Sequence, residues 1–185
     1  MNRSGKSLEL CVTVTGSDQS GIIASITRIF YGVKGNLEDA SMTILNGEFA
    51  MIFIVSLAAT KISALLKKLE VLEKKLKLNI AIRKIKRKNR SRTPKLTLPY
   101  LISAFGRDKV GIVFQISEVL AKSKLNITDL QSKQIPTGKE VVYGLLLEVE
   151  IPKSFKIEAL RSQLLRIAKS LKVDLTLKSI DPITL

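Results

Sequence analysis

The amino-acid sequence contains two similar halves. The stretch TGSDQSGIIASITRIF at 15–30 resembles FGRDKVGIVFQISEVL at 105–120. Five glycine or polar residues of the first half recur 90 positions later in the second half. The pairs are Gly16 and Gly106, Asp18 and Asp108, Gly21 and Gly111, Asn36 and Asn126, and Asp39 and Asp129. A repeat of this length indicates a duplicated structural unit, so the chain is expected to fold as two copies of one small domain.

The first half has the pattern of a βαββαβ unit. Alternating apolar residues over Leu8–Thr15 predict a half-buried strand, and apolar residues at helical spacing from Ile22 to Val33 predict a helix. The pair Asn46-Gly47 predicts a tight hairpin between strands at Leu37–Leu45 and Phe49–Leu57. An amphipathic helix and a fourth strand are predicted at 61–78 and 79–85.

The second half repeats this order. Strands are predicted at 96–105, 126–135, 140–150 and near 173–180, with a turn at Pro136–Lys139 and helices that begin near Ile112 and Ile157. We therefore predict an α+β fold of two ferredoxin-like βαββαβ units, each with an antiparallel sheet and helices on one face. The predicted bounds are 1–88 for the first unit, 89–95 for a basic linker and 96–185 for the second unit.

The chain is strongly basic. It has 31 Lys and Arg against 16 Asp and Glu, a formal charge of +15. Such a charge favours acidic partners, nucleic acid among them, without naming one. The basic run Arg83–Lys95 has two interpretations, a solvated linker or a contact with an acidic surface. The Lys-rich helix at 61–78 is predicted to pack against a core with its lysines exposed.

The residue types present argue against catalysis. There is no histidine, so His-based triads and His-containing zinc sites are excluded. Gly5-Lys6-Ser7 lacks the upstream glycine of a phosphate-binding loop. We expect a protein that is not an enzyme and that uses no cofactor or metal.

The sequence also bears on location. Cys11 is the single cysteine, which favours a reducing compartment. The polar start Met1–Lys6 predicts no signal peptide, and no apolar run approaches the ~18 residues that cross a membrane. We expect a cytoplasmic protein that does not associate with membranes.

The third predicted strand is apolar on both faces. Phe49, Met51 and Phe53 point one way, but Ala50 and Ile52 on the other side are apolar as well. Because helices cover only one face of such a sheet, the second face predicts association through the sheet, and a homo-oligomer is expected.

The paired loops TGSDQSGI and FGRDKVGI are the candidate ligand site. Each precedes a helix, where backbone N–H groups and the helix dipole favour a carboxylate. Asp18 and Asp108 would accept hydrogen bonds from an ammonium group, and the asparagines that follow each helix would donate to one group and accept from the other. Alternatively, each loop is only a tight turn whose aspartate caps the helix.

The runs D-x-x-G-I-[IV] and [GL]-N-[LI]-x-D resemble the ACT domain, a regulatory βαββαβ module that binds amino acids. NLEDASMTILNGEFAMIFIVSL is similar to the first half of the glycine cleavage system transcriptional repressor family. The resemblance implies ligand capture where ACT units meet, the loop of one unit facing the asparagine segment of another. By carry-over the contacts are Gly16, Asp18, Gly21 and Asn36, and Gly106, Asp108, Gly111 and Asn126.

The loops depart from that pattern at one position. Many ACT loops have proline immediately before the second glycine, where this sequence has Ser20 and Val110. Without proline the loop is less preorganised, so weaker binding is expected at one or both sites.

Two functions therefore compete. The first is a regulatory protein that binds a small amino acid, glycine- or serine-like, acts through a protein partner and regulates transcription of amino-acid metabolism. The second is electrostatic nucleic-acid binding by a βαββαβ fold. An RNA recognition motif needs aromatics on its first and third strands. The first strands here, read as LELCVTVT and LTLPYLISA, offer only Tyr100, which disfavours that alternative.

Overall fold

The computed structural model describes residues 7–86, 96–137 and 140–180 of the chain. The chain divides into two compact units, Met1–Asn89 and Arg90–Leu185. Within the described ranges, every helix is too short or too polar to cross a membrane. The predicted linker at 89–95 lies outside the described residues, so its role stays a prediction.

The first unit is a βαββαβ fold. Its four strands form one antiparallel sheet, in which they lie side by side in the order second, third, first and fourth. A single 3₁₀ turn, Ala59–Lys61, leads into the second helix. The elements are β1 (Ser7–Ser17), α1 (Ile22–Gly32), β2 (Asn36–Leu45), β3 (Glu48–Ala58), α2 (Ile62–Leu76) and β4 (Asn79–Ile85).

The second unit repeats the fold, and its four strands lie in the same order, second, third, first and fourth. The predicted fold class is thus confirmed for both halves. The elements are β5 (Thr97–Arg107), α3 (Ile112–Lys122), β6 (Asn126–Thr137), β7 (Glu140–Pro152), α4 (Ile157–Leu171) and β8 (Val173–Ser179).

The predicted turn at Pro136–Lys139 is too long. Pro136 and Thr137 lie in β6 and pair with Val141 and Glu140 of β7. β6 is an edge strand, where a proline can face away from the ladder without breaking a hydrogen bond. Proline therefore marked a turn wrongly here, and Gly138 and Lys139 lie outside the described residues.

The hairpin prediction in the first unit is confirmed. Asn46 and Gly47 join β2 to β3, and both have positive φ angles, 51° and 82°. Two consecutive residues of this kind form the turn whose twist matches that of paired strands. Asparagine and glycine tolerate this conformation better than other residues, which is why the dipeptide was informative.

The core of the first unit lies between its sheet and its two helices. Leu10, Val12 and Val14 of β1 are fully buried, as the alternation predicted. Phe53 at the centre of β3 meets Phe30 of α1 edge to face, with ring centroids 5.3 Å apart. Such aromatic pairs stabilise beyond the area they bury, so this contact ties α1 to the sheet.

Helix α2 packs as its sequence predicts. Leu65, Leu69 and Leu72 are buried against the sheet, and the lysines of the helix are exposed. Lys74 donates a 2.8 Å hydrogen bond to Glu70, and this bond and the lysine's charge hold the pKa of that carboxyl below its ordinary value. Both side chains are solvent-exposed, so the pair contributes little to stability.

The two helices of the first unit leave the opposite face of its sheet uncovered. Ala50, Ile52 and Ile54 lie on this open face, and Ile52 is 49% exposed. β3 is therefore apolar on both faces, as predicted. Association through this face remains a prediction.

Replacing Phe53 by alanine is expected to destabilise the first unit by about 3–5 kcal/mol, because a fully buried ring is lost and a cavity remains. Ile52→Ala on the same strand is the matched control, with an expected cost of about 1 kcal/mol or less because the side chain is half exposed. Urea unfolding followed by circular dichroism measures both. Equal losses of stability would contradict the assignment of the two faces.

Candidate ligand-binding site

The two candidate loops connect β1 to α1 and β5 to α3. In each, a glycine occupies the position that caps the helix, Gly21 with φ 91° and Gly111 with φ 98°. Neither helix start receives a side-chain capping hydrogen bond. The alternative in which Asp18 and Asp108 serve as helix caps is therefore not what the structure shows.

Among the described residues, the first backbone N–H groups of each helix have no hydrogen-bond acceptor. The carbonyl oxygen of Gly21 accepts the first helical bond, from the Ser25 amide at 2.9 Å, and Gly111 does the same for Gln115 at 3.0 Å. The preceding N–H groups of each helix have no carbonyl in their own helix to bond. They point out of the helix end together with its positive dipole end, an arrangement that suits a carboxylate.

Gly16 and Gly106 are explained by packing. A Cβ built on Gly16 would lie 2.8 Å from Leu78 Cδ2, and one on Gly106 would lie 2.8 Å from Val173 Cγ1. Both neighbours precede or begin the fourth strand of their unit. The space freed by each glycine is thus filled by the protein, which accounts for the glycine without any ligand.

A hydrogen bond of its backbone, and not of its carboxylate, fixes the position of Asp18. Its amide donates a 2.8 Å hydrogen bond to the carbonyl of Gly47 in the hairpin turn. The side chain is exposed and, within the described part of the chain, accepts no hydrogen bond. The carboxylate is therefore open to a cationic group.

Asp108 differs from Asp18 in this respect. Its Oδ2 accepts a 2.6 Å hydrogen bond from Nε2 of Gln134 on β6. The sequence offered no indication of this contact, because the two residues are 26 positions apart and join only when β6 takes its place in the sheet.

Asn36 lies at the other end of the sheet from Asp18. It pairs with Ser56, which pairs with Glu9 at the start of β1, whereas Asp18 follows Ser17 at the end of that strand. Eight residues of strand separate the two ends, about 26 Å. Asn126 similarly pairs with Glu150 at the far end of β7. One unit by itself therefore does not bring its loop and its asparagine together.

The Asn36 amide is already engaged locally. Its Nδ2 donates to Oε1 of Glu38 at 3.1 Å, and the Ser56 hydroxyl donates to the same oxygen at 2.6 Å. A hollow of about 340 Å³ adjoins this end of the sheet, lined in part by Glu9, Glu38 and Ser56. A larger one of about 530 Å³ lies beside α2 and β4. Neither includes a residue of the first loop.

The aromatic residues of the sheets are mostly unsuited to base stacking. On the open face of β1 and β3 stand Cys11, Thr13, Ile52 and Ile54, whereas Phe49 and Phe53 are buried. In the second unit, Tyr100 packs against the core, while Phe105 of the same strand is 43% exposed. Phe105 lies at the end of the predicted strand 96–105, just beyond the stretch LTLPYLISA, which ends at Ala104, so the exposed aromatic of this strand is Phe105 and not Tyr100.

Metal binding finds no support in the ranges that the structure describes. Across 7–86, 96–137 and 140–180, no group of three or more Cys, Asp or Glu side chains is placed to hold a metal ion.

The model of the ACT domain matches residues 9–83 and 99–178. Each match spans one βαββαβ unit from its first strand to its last. The chain belongs to the ACT domain family. It is a tandem of two ACT domains, and the resemblance found in the loop and asparagine motifs is confirmed.

The curated relatives match only part of the tandem. A UPF0237 protein of Methanopyrus kandleri is 40% identical over 52 residues, which cover 28% of this chain and 58% of that one. A UPF0237 protein of Clostridium acetobutylicum is 36% identical over 76 residues, 41% of this chain and 85% of that one. The chain thus spans about half to most of the length of these relatives, and each match is no longer than one ACT domain.

Two solved structures are similar over nearly the whole chain. A protein of unknown function from Galdieria sulphuraria has a TM-score of 0.78 at 27% identity, with 95% of this chain and 100% of that one covered. A candidate glycine cleavage system transcriptional repressor has a TM-score of 0.70 at 16% identity, with 95% and 98% covered. At 16% identity, the likeness to the candidate repressor shows a shared fold alone.

Gly16→Ala and Gly106→Ala are expected to destabilise their units by about 1–3 kcal/mol, because the added methyl group overpacks a filled space. The cost at Gly106 is the larger, since its Cβ would also lie 3.1 Å from the backbone Cα of Val173. Gly32→Ala is the control, because its Cβ meets only the Lys68 ammonium at 3.5 Å and alanine favours a helix. Thermal unfolding distinguishes them, and an unchanged Gly106→Ala protein would contradict the packing argument.

Proposed function

We propose that this tandem ACT protein is a regulatory protein without catalytic activity that binds a small amino acid and passes the signal to a protein partner. The observation that carries the proposal is the first loop, in which an exposed Asp18 carboxylate, without a hydrogen-bond partner among the described residues, precedes a helix start with no side-chain cap. A free amino acid carries an ammonium group, which can donate to the aspartate, and a carboxylate, which can accept from the N–H groups of the helix start.

The ligand is proposed to be small, glycine- or serine-like. Neither of the two hollows described above includes a residue of the first loop, so neither would receive the side chain of a ligand held there. Recognition would then depend on the two charged groups that all amino acids share, and bulk beyond a hydroxymethyl group would gain little contact.

The ligand is also proposed to be shared between two ACT units. Asp18 and Asn36 of one unit are separated by about 26 Å of strand, so a ligand that contacts both kinds of residue needs a second unit. The second unit would come from the same chain or from another copy in a homo-oligomer. A ligand held between two units stabilises one of their arrangements, which is how binding would change the surface offered to a partner.

Regulation of transcription in glycine or amino-acid metabolism is the proposed context. Support comes from the fold that this chain shares with the candidate glycine cleavage system repressor, a protein also covered almost fully by two such units. The protein partner would bind the arrangement of the two ACT units that the ligand stabilises.

Isothermal titration calorimetry with the twenty amino acids tests the proposal. Glycine or serine is expected to bind, and Asp18→Asn to weaken binding about tenfold or more, because a hydrogen bond from an ammonium to a carboxylate is replaced by a neutral one. Asp174→Asn removes another exposed carboxylate, on β8 of the second unit, and serves as the control. Absence of heat with every amino acid at millimolar concentration would contradict the proposal.

The charge of +15 is the observation that favours nucleic-acid binding as a second candidate. An electrostatic interaction predicts binding to any DNA or RNA, with an affinity that falls steeply with salt. Fluorescence anisotropy at several salt concentrations measures this. Tight binding of one sequence over others at physiological salt would support direct recognition and would contradict a purely electrostatic contact.

A further inference from the structure

The two loops share a left-handed glycine before the helix, Gly21 and Gly111, but have different neighbours. In the second unit, Gln134 donates a 2.6 Å hydrogen bond to the Asp108 carboxylate. In the first unit, the Asp18 carboxylate has no partner among the described residues. The difference comes from the edge strand beside each loop.

Ile44 and Gln134 occupy the same place in the two units. They are 90 positions apart, like the residues of the loops. Ile44 pairs with Phe49 and Gln134 with Tyr143, both on the helix side of the sheet, and the edge strands share an irregularity before Asp39 and before Asp129. The register therefore matches, and the side chain at this one position decides whether the loop aspartate has a donor within the protein.

The loops differ again at their exposed side. Val110 is fully exposed and Phe114 is 65% exposed at the start of α3, where the first unit has Ser20 and Ala24. A zwitterion beside exposed apolar side chains loses water contacts without gaining polar ones. Both differences disfavour an amino acid at the second loop.

We propose that Gln134 is a positioning residue that holds Asp108 in a bond within the protein, so that the first loop binds the amino acid and the second does so only weakly. This inference rests on the proposed function. The Gln134 amide and the ligand ammonium are donors of the same kind for one carboxylate oxygen, so a ligand at the second loop has to displace the glutamine. At the first loop, Ile44 has no donor and nothing has to be displaced.

A reciprocal exchange tests the inference on the full chain. Gln134→Ile removes the donor from the second unit, and Ile44→Gln places one beside Asp18. Both positions are exposed, so the fold is expected to be retained, and circular dichroism verifies this. Met42→Gln is the matched control, because Met42 lies on the same side of β2 but two residues further from the loop.

The readout is titration with glycine and with serine, followed by calorimetry and by the backbone amide NMR signals of Gly21 and Gly111. These signals report the two loops separately. Gln134→Ile is expected to strengthen binding at the Gly111 loop about three- to fivefold, the size of an exposed charge-assisted interaction. Ile44→Gln is expected to weaken binding at the Gly21 loop by a similar factor, and Met42→Gln to change neither.

A double variant separates competition from a structural effect. In a chain that carries Asp108→Ala, the exchange Gln134→Ile is expected to leave amino-acid affinity at the Gly111 loop unchanged. The reason is that no carboxylate remains for which the Gln134 amide and the ligand ammonium compete. An effect of the same size in both backgrounds would overturn the inference.

The outcomes distinguish this inference from the proposal on which it rests. If the reciprocal exchange leaves amino-acid binding unchanged, the role of Gln134 is overturned and the proposed function stands. The same follows if the unaltered chain binds more strongly at the second loop. Failure of every variant and of the unaltered chain to bind glycine or serine contradicts the proposed function for these ligands, and this inference with it.

Discussion

The close approach of the first strand to the start of the fourth fixes the geometry of each unit. Gly16 lies against Leu78 and Gly106 against Val173, where a single added carbon would meet its neighbour at 2.8 Å. One residue later the strand ends, and the chain turns through a left-handed glycine, Gly21 or Gly111, into a helix. The contact therefore sets where each loop and its aspartate leave the sheet.

The second consequence of this architecture is a separation of the candidate groups. A βαββαβ order places the loop after β1 at one end of the sheet and the start of β2 at the other, because the helix α1 returns the chain along the length of the strand. Asp18 and Asn36 are therefore kept apart within a unit whatever their side chains do. Duplication of the unit supplies a second set of both groups, which is why the proposed ligand site takes its groups from two units.

Much of the fold followed from local patterns. The alternation of Leu10, Val12 and Val14 and the pair Asn46-Gly47 each report short-range geometry, strand pleat in one case and turn twist in the other. The turn predicted at Pro136 was wrong because a tertiary partner overrode the local signal. Pro136 is tolerated on the edge strand β6, where it pairs with Val141 of β7.

The sequence by itself determined the duplication, the element order and the position of both glycine-bounded loops, because these depend on residues close together in the chain. Only the tertiary structure decided that Asp18 is open while Asp108 bonds to Gln134, and that Gly16 and Gly106 are packing glycines. Those contacts join residues far apart in sequence. They exist only once the edge strand and the fourth strand are placed, and no periodicity along the chain encodes a distance between two such side chains.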